Sequence, residues 1–315
     1  MPKTLKDMKV VFMGTPEFSV PILEKLNELT DVVLVVSQPD KEVGRKRILT
    51  PSPVKAKALE LGLEVYTPEK IKQEYEHVLN QHPDVIITAA YGQIVPKQMI
   101  DYPSYGCINV HGSILPKYRG ASPIQSAIMN GDETTGITLM YMEETMDTGA
   151  IIQAKEIPIE DEDTYGTLNT KLSELAVSIL EKELPKILEG ENFDIPQRDE
   201  DATYCKKISR EEERLDFNDT AKHLHDKVRA LNPSPLANII INGEEWKVLE
   251  TKIGNETKGE IGLISEVNKD SFGINTTDNV LLITKVKRPG KNEMLVKDLF
   301  NGYNKDSLIN TKVGE

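Results

Sequence analysis

Asn109 and His111 are the residues of this chain best placed to do chemistry. They end the apolar run Cys107-Ile108-Asn109-Val110-His111, and Gly112-Ser113-Ile114-Leu115-Pro116-Lys117-Tyr118-Arg119-Gly120 follows directly. Side chains alternate along a strand with a period of two, so an amide and an imidazole at this spacing share one face. The amide can donate to a developing oxyanion. The imidazole can take or give a proton near neutral pH. Together they suit acyl transfer. Gly112-Ser113 leaves backbone N–H groups free beside them, and the turn Asp147-Thr148-Gly149 adds a carboxylate able to orient or charge a histidine. On these residues alone, a hydrogen-bonded core pair is the competing reading.

The surrounding pattern must position that face. Lys9 to Met13, Val32 to Val36, Val65, and Val85 to Ala90 read as buried strands, and helical stretches alternate with them. Phe18, Ile22, Leu26 and Leu29 recur at helical spacing, with Pro16 suited to the first turn. Strands alternating with helices predict βαβ units and a Rossmann-like parallel sheet, whose ligands bind beyond the strand C-termini. Gly14, Gln38, Tyr91 and His111 each follow a strand and could share that rim. Gly136 to Tyr141 and Ala150 to Ile157 predict a hairpin-like pair. A helix capped by Asp163 or Thr164 carries Leu168, Leu172, Leu175 and Ile179.

Residues 191–210 are polar and read as a linker. Beyond it, Asp219 is expected to cap a short helix with Ala221, Leu224, Val228 and Leu231 on one face. Strand signals at Ala237–Ile241, Trp246–Ile253, Gly262–Val267, Gly273–Asn275 and Val280–Val286 predict a small barrel. The expected domains are 1–205, α/β, and 206–315, an OB-like β-barrel.

Composition narrows the class. The chain has 315 residues and a net charge of −13. Residues 1–200 carry 20 basic against 32 acidic residues, whereas 201–315 carry 18 against 19. A basic face in the second half could therefore hide in the total. No run is long and apolar enough to span a membrane, and the N-terminus enters a strand without a leader-like segment. Cys107 and Cys205 form no metal or redox spacing, so neither a metal nor a disulfide is expected. Gly14-Thr15-Pro16-Glu17-Phe18 lacks the glycines of a dinucleotide loop and the lysine of a phosphate loop.

Residues 37–57 are long for a strand-to-helix connection. They hold Arg45, Lys46 and Arg47 together, with Lys55 and Lys57 nearby. The alternatives are a solvated charged loop and a flexible basic finger beside the rim.

At these residues the chain resembles the folate-dependent formyltransferase family. That family carries Asn, His two residues later, a Ser-Leu-Leu-Pro-like segment, an Arg-Gly pair and a later Asp-Thr-Gly, here Asn109, His111, Ser113 to Pro116, Arg119-Gly120 and Asp147 to Gly149. Within it, Gly14 to Phe18, the segment from Gln38 to Lys55, and Arg229-Ala230-Leu231-Asn232-Pro233 resemble the branch that formylates methionyl-tRNA. Ile114, Ser122 and Ser234 depart from the usual residues. The resemblance implies transfer of the formyl group of 10-formyltetrahydrofolate to the α-amine of methionyl-initiator tRNA, with Asn109, His111 and Asp147 catalytic. It implies folate contacts at Tyr91, Gly92, Gln93, Ile94, Ser113, Ile114, Leu115 and Pro116, and tRNA contacts at Arg45, Lys46 and Arg47. A monomer in the bacterial cytoplasm is expected. A sugar-nucleotide or purine formyltransferase, or a non-catalytic RNA-binding protein, are the competing classes.

Overall fold

In a computed structural model, residues 3–44, 46–192 and 194–314 are described. They form two compact units.

The first unit comprises 1–123, 135–157 and 169–205. Its frame is a seven-stranded sheet in the order Ile151–Pro158, Thr134–Tyr141, Cys107–His111, Val85–Ala89, Lys9–Gly14, Asp31–Val36, Val65–Tyr66. The strands from Cys107–His111 to Val65–Tyr66 run parallel. Thr134–Tyr141 pairs antiparallel with Cys107–His111. The central strands read as unbroken apolar runs because helices cover both faces of a parallel sheet. Val10 to Met13 and Val85 to Ile87 are accordingly fully buried. Strand order reverses between Lys9–Gly14 and Val85–Ala89, which places a ligand crevice beyond their C-terminal ends.

Several local expectations change. Pro16 is extended and precedes a 3-10 turn, Glu17–Ser19, whereas Pro21 occupies the first turn of the helix Val20–Leu29. Lys41–Val43 pairs antiparallel with Ile48–Thr50 as a β-hairpin, and Pro53–Glu60 is a helix capped by Ser52. The span read as a linker is partly ordered onto this unit. Ile195 bridges Ile151, and Tyr204–Cys205 pairs parallel with Arg119–Gly120.

The second unit comprises 124–134, 158–168 and 206–315. Its antiparallel sheet runs Ala237–Ile241, Glu244–Glu256, Asn279–Lys287, Phe272–Asn275, Ile264–Val267, and Glu293–Leu295 adds to Asn279–Lys287. The tail closes it into a small barrel. Asn310 and Thr311 pair with Ile264 at one edge, and the Gly314 N–H reaches the Ile240 carbonyl at the other. Trp246, Phe272 and Ile283 fill the interior, with Leu224 and Val228 of the helix Ala221–Ala230 packed against them. That helix is capped by the Thr220 hydroxyl rather than by Asp219, whose carboxylate instead bonds the His223 side chain. Arg229, nearly buried, bonds Asp226 at 2.7 Å and the Asp163 carbonyl at 2.7 Å, so its charge stays in the unit's interior.

Candidate active site

The site is built from the C-terminal end of the strand Cys107–His111 and the turn that carries Asp147. Thr88 lies opposite Asn109 on the neighbouring strand, and its hydroxyl donates to Asn109 Oδ1 at 2.8 Å. Asn109 Nδ2 therefore faces the other way and donates to Asp147 Oδ1 over a long 3.4 Å. His111, 5% exposed, donates through Nε2 to the Tyr118 carbonyl at 2.9 Å. A carbonyl only accepts, so this contact places the hydrogen of the neutral ring on Nε2. Nδ1 is then the open nitrogen, and it faces Asp147 Oδ2 at 3.8 Å. Tyr118 aims its carbonyl from a left-handed backbone, φ 57.

Asp147 is also left-handed, φ 56, a conformation Asp tolerates better than most residues. Its Oδ2 accepts the Gly120 N–H at 2.8 Å. Gly120 has no substitute there: a Cβ would stand 2.0 Å from the Cys205 carbonyl, and its φ is +125. Gly149 is confined likewise, since a Cβ would meet the Tyr141 carbonyl at 1.9 Å. One amide, one imidazole and one carboxylate thus converge from two segments, and among the described residues the second Asn109 hydrogen has no acceptor and His111 Nδ1 no donor at hydrogen-bond distance. Behind them Cys107 Sγ lies 3.4 Å from Met142 Sδ, and burial pushes its thiol up to about 12, so it is a neutral wall.

The remaining rim residues fall into two groups. The Tyr91 carbonyl accepts from Thr15 Oγ1 at 2.8 Å and Gln38 Nε2 at 3.1 Å, tying three strand ends together. Its ring is buried in the core, where burial raises the phenol's pKa, and its hydroxyl has no partner among the described residues. Gly92 adopts φ +94, and the Gln93 amide is spent on the Ile71 N–H and the Gln38 side chain. Ile94 is 80% exposed. Ser113 is fully buried and donates to the Lys117 carbonyl, and Leu115 is buried too, whereas Ile114 and Pro116 are partly open. Among this set Gly92 and Ile94 are exposed and Gln93, Ile114 and Pro116 partly open, whereas Tyr91, Ser113 and Leu115 are buried. An open depression of about 530 Å³ elsewhere in this unit, beside Tyr105, Tyr141 and Asn192, holds none of these residues.

The basic segment is less basic than its composition. Lys55 pairs with Asp40 at 2.8 Å, and Lys57 with Glu24 and Glu60. Lys46 and Arg47 stay exposed at the hairpin tip, Arg47 lying 3.7 Å from Glu42. Arg45 lies outside the described residues. The hairpin also exposes Val43, Ile48 and Leu49.

Reading residue types missed Thr88, the Tyr118 carbonyl and Gln197. Gln197 Nε2 bonds the carbonyls of Asp147, at 2.9 Å, and Gly149, at 2.8 Å. The Arg119-Gly120 pair was visible only as a motif.

Comparison with known proteins follows the same division. The family model for formyl transferase matches residues 8–184, and that for the formyl transferase C-terminal domain matches 207–304. A methionyl-tRNA formyltransferase of Macrococcus caseolyticus is 44% identical over 309 residues, 98% of this chain and 99% of its own. One from Bacillus pumilus is 46% identical over 301 residues, 94% and 95% of the two chains. Among solved structures, the sugar 3N-formyl transferase WlaRD superposes with a TM-score of 0.64 at 22% identity, over 90% of this chain and 99% of that one. HypX from Aquifex aeolicus gives 0.65 at 18% identity over 94% of this chain and 49% of its own, so this chain spans about half of HypX. Those two likenesses bear on the fold alone. Two matched family models and relatives of the same length and order place this chain in the formyl transferase family.

Proposed function

We propose that this chain transfers the formyl group of 10-formyltetrahydrofolate to the α-amine of methionyl-initiator tRNA. The observation that carries this reading is identity of 41–46% to methionyl-tRNA formyltransferases along nearly the whole chain, second unit included. The geometry of Asn109, His111 and Asp147 supports it chemically.

The reaction forms a bond from the methionine nitrogen to the formyl carbon and breaks the bond from that carbon to the folate nitrogen. One proton must pass from the first nitrogen to the second. Negative charge builds on the formyl oxygen as the amine attacks, and the outward Asn109 Nδ2 is the donor that meets it. His111 Nδ1 is open in the neutral ring, so it takes the amine proton. The resulting imidazolium lies against the Asp147 carboxylate at 3.8 Å and returns the proton to the departing nitrogen. Neutral His111 has no N–H left for the oxyanion, because its single N–H is held by the Tyr118 carbonyl. Gly92, Gln93, Ile94, Ile114 and Pro116 are the open positions that would line the folate.

In this reading Lys46 and Arg47, together with Arg45, meet the tRNA acceptor end. The relatives are bacterial, and aminoacylated tRNA resides in the cytoplasm, which supports that location.

Purified full-length chain should formylate initiator methionyl-tRNA when given 10-formyltetrahydrofolate, and should leave amino-sugar nucleotides unmodified. Formylation of the sugar without the tRNA would replace this reading with the sugar-nucleotide one.

A further inference from the structure

Asp147 is held by a closed ring of contacts that begins and ends at one arginine. Arg119 is 1% exposed. Its Nε and Nη2 donate to Gln197 Oε1 at 3.1 and 2.9 Å, a fork that lysine cannot offer. The same amide turns its Nε2 onto the Asp147 and Gly149 carbonyls. The Asp147 carboxylate then accepts the N–H of Gly120, the residue that follows Arg119. The ring therefore closes through the backbone. Asp199 and Tyr204 complete the guanidinium's shell at 2.8 and 3.3 Å, so its charge is matched without touching the Asp147 carboxylate.

Each link is directional. The Gln197 amide has two donors and one oxygen, and every one is used. Turning it over would aim its oxygen at two carbonyls and its NH₂ at a guanidinium. The strand pairing of Tyr204–Cys205 with Arg119–Gly120 fixes the far side of the ring. The turn it grips carries a residue at φ 56 and a glycine that a Cβ would displace, and such turns persist only where surroundings over-determine them.

We propose that Arg119 and Gln197 are positioning residues that set the distance from the Asp147 carboxylate to Asn109 and His111. The inference rests on the functional reading above. No substrate contact is assigned to either residue. A displacement of about 1 Å in such a constellation costs about 100-fold in rate.

The test is a double-mutant cycle in the full chain. Gln197→Met keeps the side chain's length and removes both its donors and its acceptor. It should lower kcat by about 100-fold while KM for folate and for methionyl-tRNA stays near the wild-type value. In an Asp147→Asn background the same change should alter kcat by no more than about twofold. Asparagine is chosen because it also tolerates a left-handed backbone. A loss of equal factor in both backgrounds, or a rise in KM at constant kcat, overturns the proposal. If Gln197→Met does not fold, Arg119→Lys carries the same cycle with the same expectation. Hydrogen exchange at the Gly120 N–H gives a readout independent of turnover. It should accelerate in Gln197→Met, because the acceptor carboxylate is released, and unchanged exchange also overturns the proposal. Absence of formylation by the wild-type chain would instead reject the functional reading, leaving the exchange measurement to decide the clamp.

Discussion

Thr88→Val tests whether Asn109 works through the orientation of its amide. The substitution replaces a hydroxyl by a methyl of nearly the same shape on a buried strand, where valine is well tolerated. Thr88 Oγ1 lies 2.8 Å from Asn109 Oδ1 and no closer than 3.4 Å to the Ile108 carbonyl or Met142 Sδ, so one bond is lost. A neutral bond of this kind contributes about 1 kcal/mol net, and Asn109 is only half-buried, so water can partly replace it. Asp147 still selects the amide's orientation, because a carboxylate only accepts. The amide thus keeps its direction and loses its rear anchor. A difference of about 1 kcal/mol in holding the donor corresponds to about fivefold in kcat. Removing the donor outright in Asn109→Ala should cost about 100- to 1000-fold. Steady-state kcat at saturating substrates for Thr88→Val, Thr88→Ser and Asn109→Ala makes the comparison, and serine should restore most of the loss. A Thr88→Val defect as large as that of Asn109→Ala, or equal kcat in the valine and serine variants, would refute the anchoring argument.

Gly120→Ala should destabilise the chain by about 3 kcal/mol or more, since its Cβ would overlap the Cys205 carbonyl at positive φ; a urea midpoint equal to wild type would contradict this. At the hairpin, Lys46→Ala should lower kcat/KM alike for initiator and elongator methionyl-tRNA and reduce the salt slope by about one, whereas Arg45→Ala should act chiefly on initiator; equal losses for Arg45→Ala on both tRNAs would make the hairpin an electrostatic anchor only. Burial, then the neighbouring Arg229 and Lys222, hold the His225 pKa below its ordinary 6.5 against the opposing pull of Asp226 and Asp161. The unfolded chain therefore binds the proton more readily, and the stability tied to neutral His225 is present above about pH 6.5 and lost as pH falls. His225→Gln should flatten the fall in urea midpoint between about pH 7 and 5.5, and an unchanged slope would assign it to other groups.

The sheet was legible because its strands are buried on both faces and spell continuous apolar runs. The pair Asn109 and His111 was legible because a strand converts a spacing of two into a shared face. Asp147 was found through its motif, since nothing local ties a turn to a strand 36 positions earlier. Thr88 and Gln197 left no trace of that kind. Thr88 acts across a strand pair, and Gln197 acts on backbone carbonyls, which have no residue type to read. Charge counting overstated the basic character of the segment from 37 to 57, because Lys55 pairs with Asp40 inside it and Lys57 with Glu24 and Glu60 outside it. The short hairpin in it has too few residues for alternation to stand out. The polar character of 191–210 suggested a linker for a related reason: its contacts with this unit are made by polar groups, Gln197 and Asp199 on Arg119, rather than by an apolar face.

The central claim is that Asn109, His111 and Asp147 act as one unit. Its most direct test is the single-turnover rate of formyl transfer to initiator methionyl-tRNA in Asn109→Ala, His111→Ala and the double variant. Each single change should slow transfer by about 100-fold or more while folate-analogue binding holds, and the double variant should be scarcely slower than the worse single one. Rates near wild type in both single variants, or a double variant slowed by the product of the two factors, would contradict it.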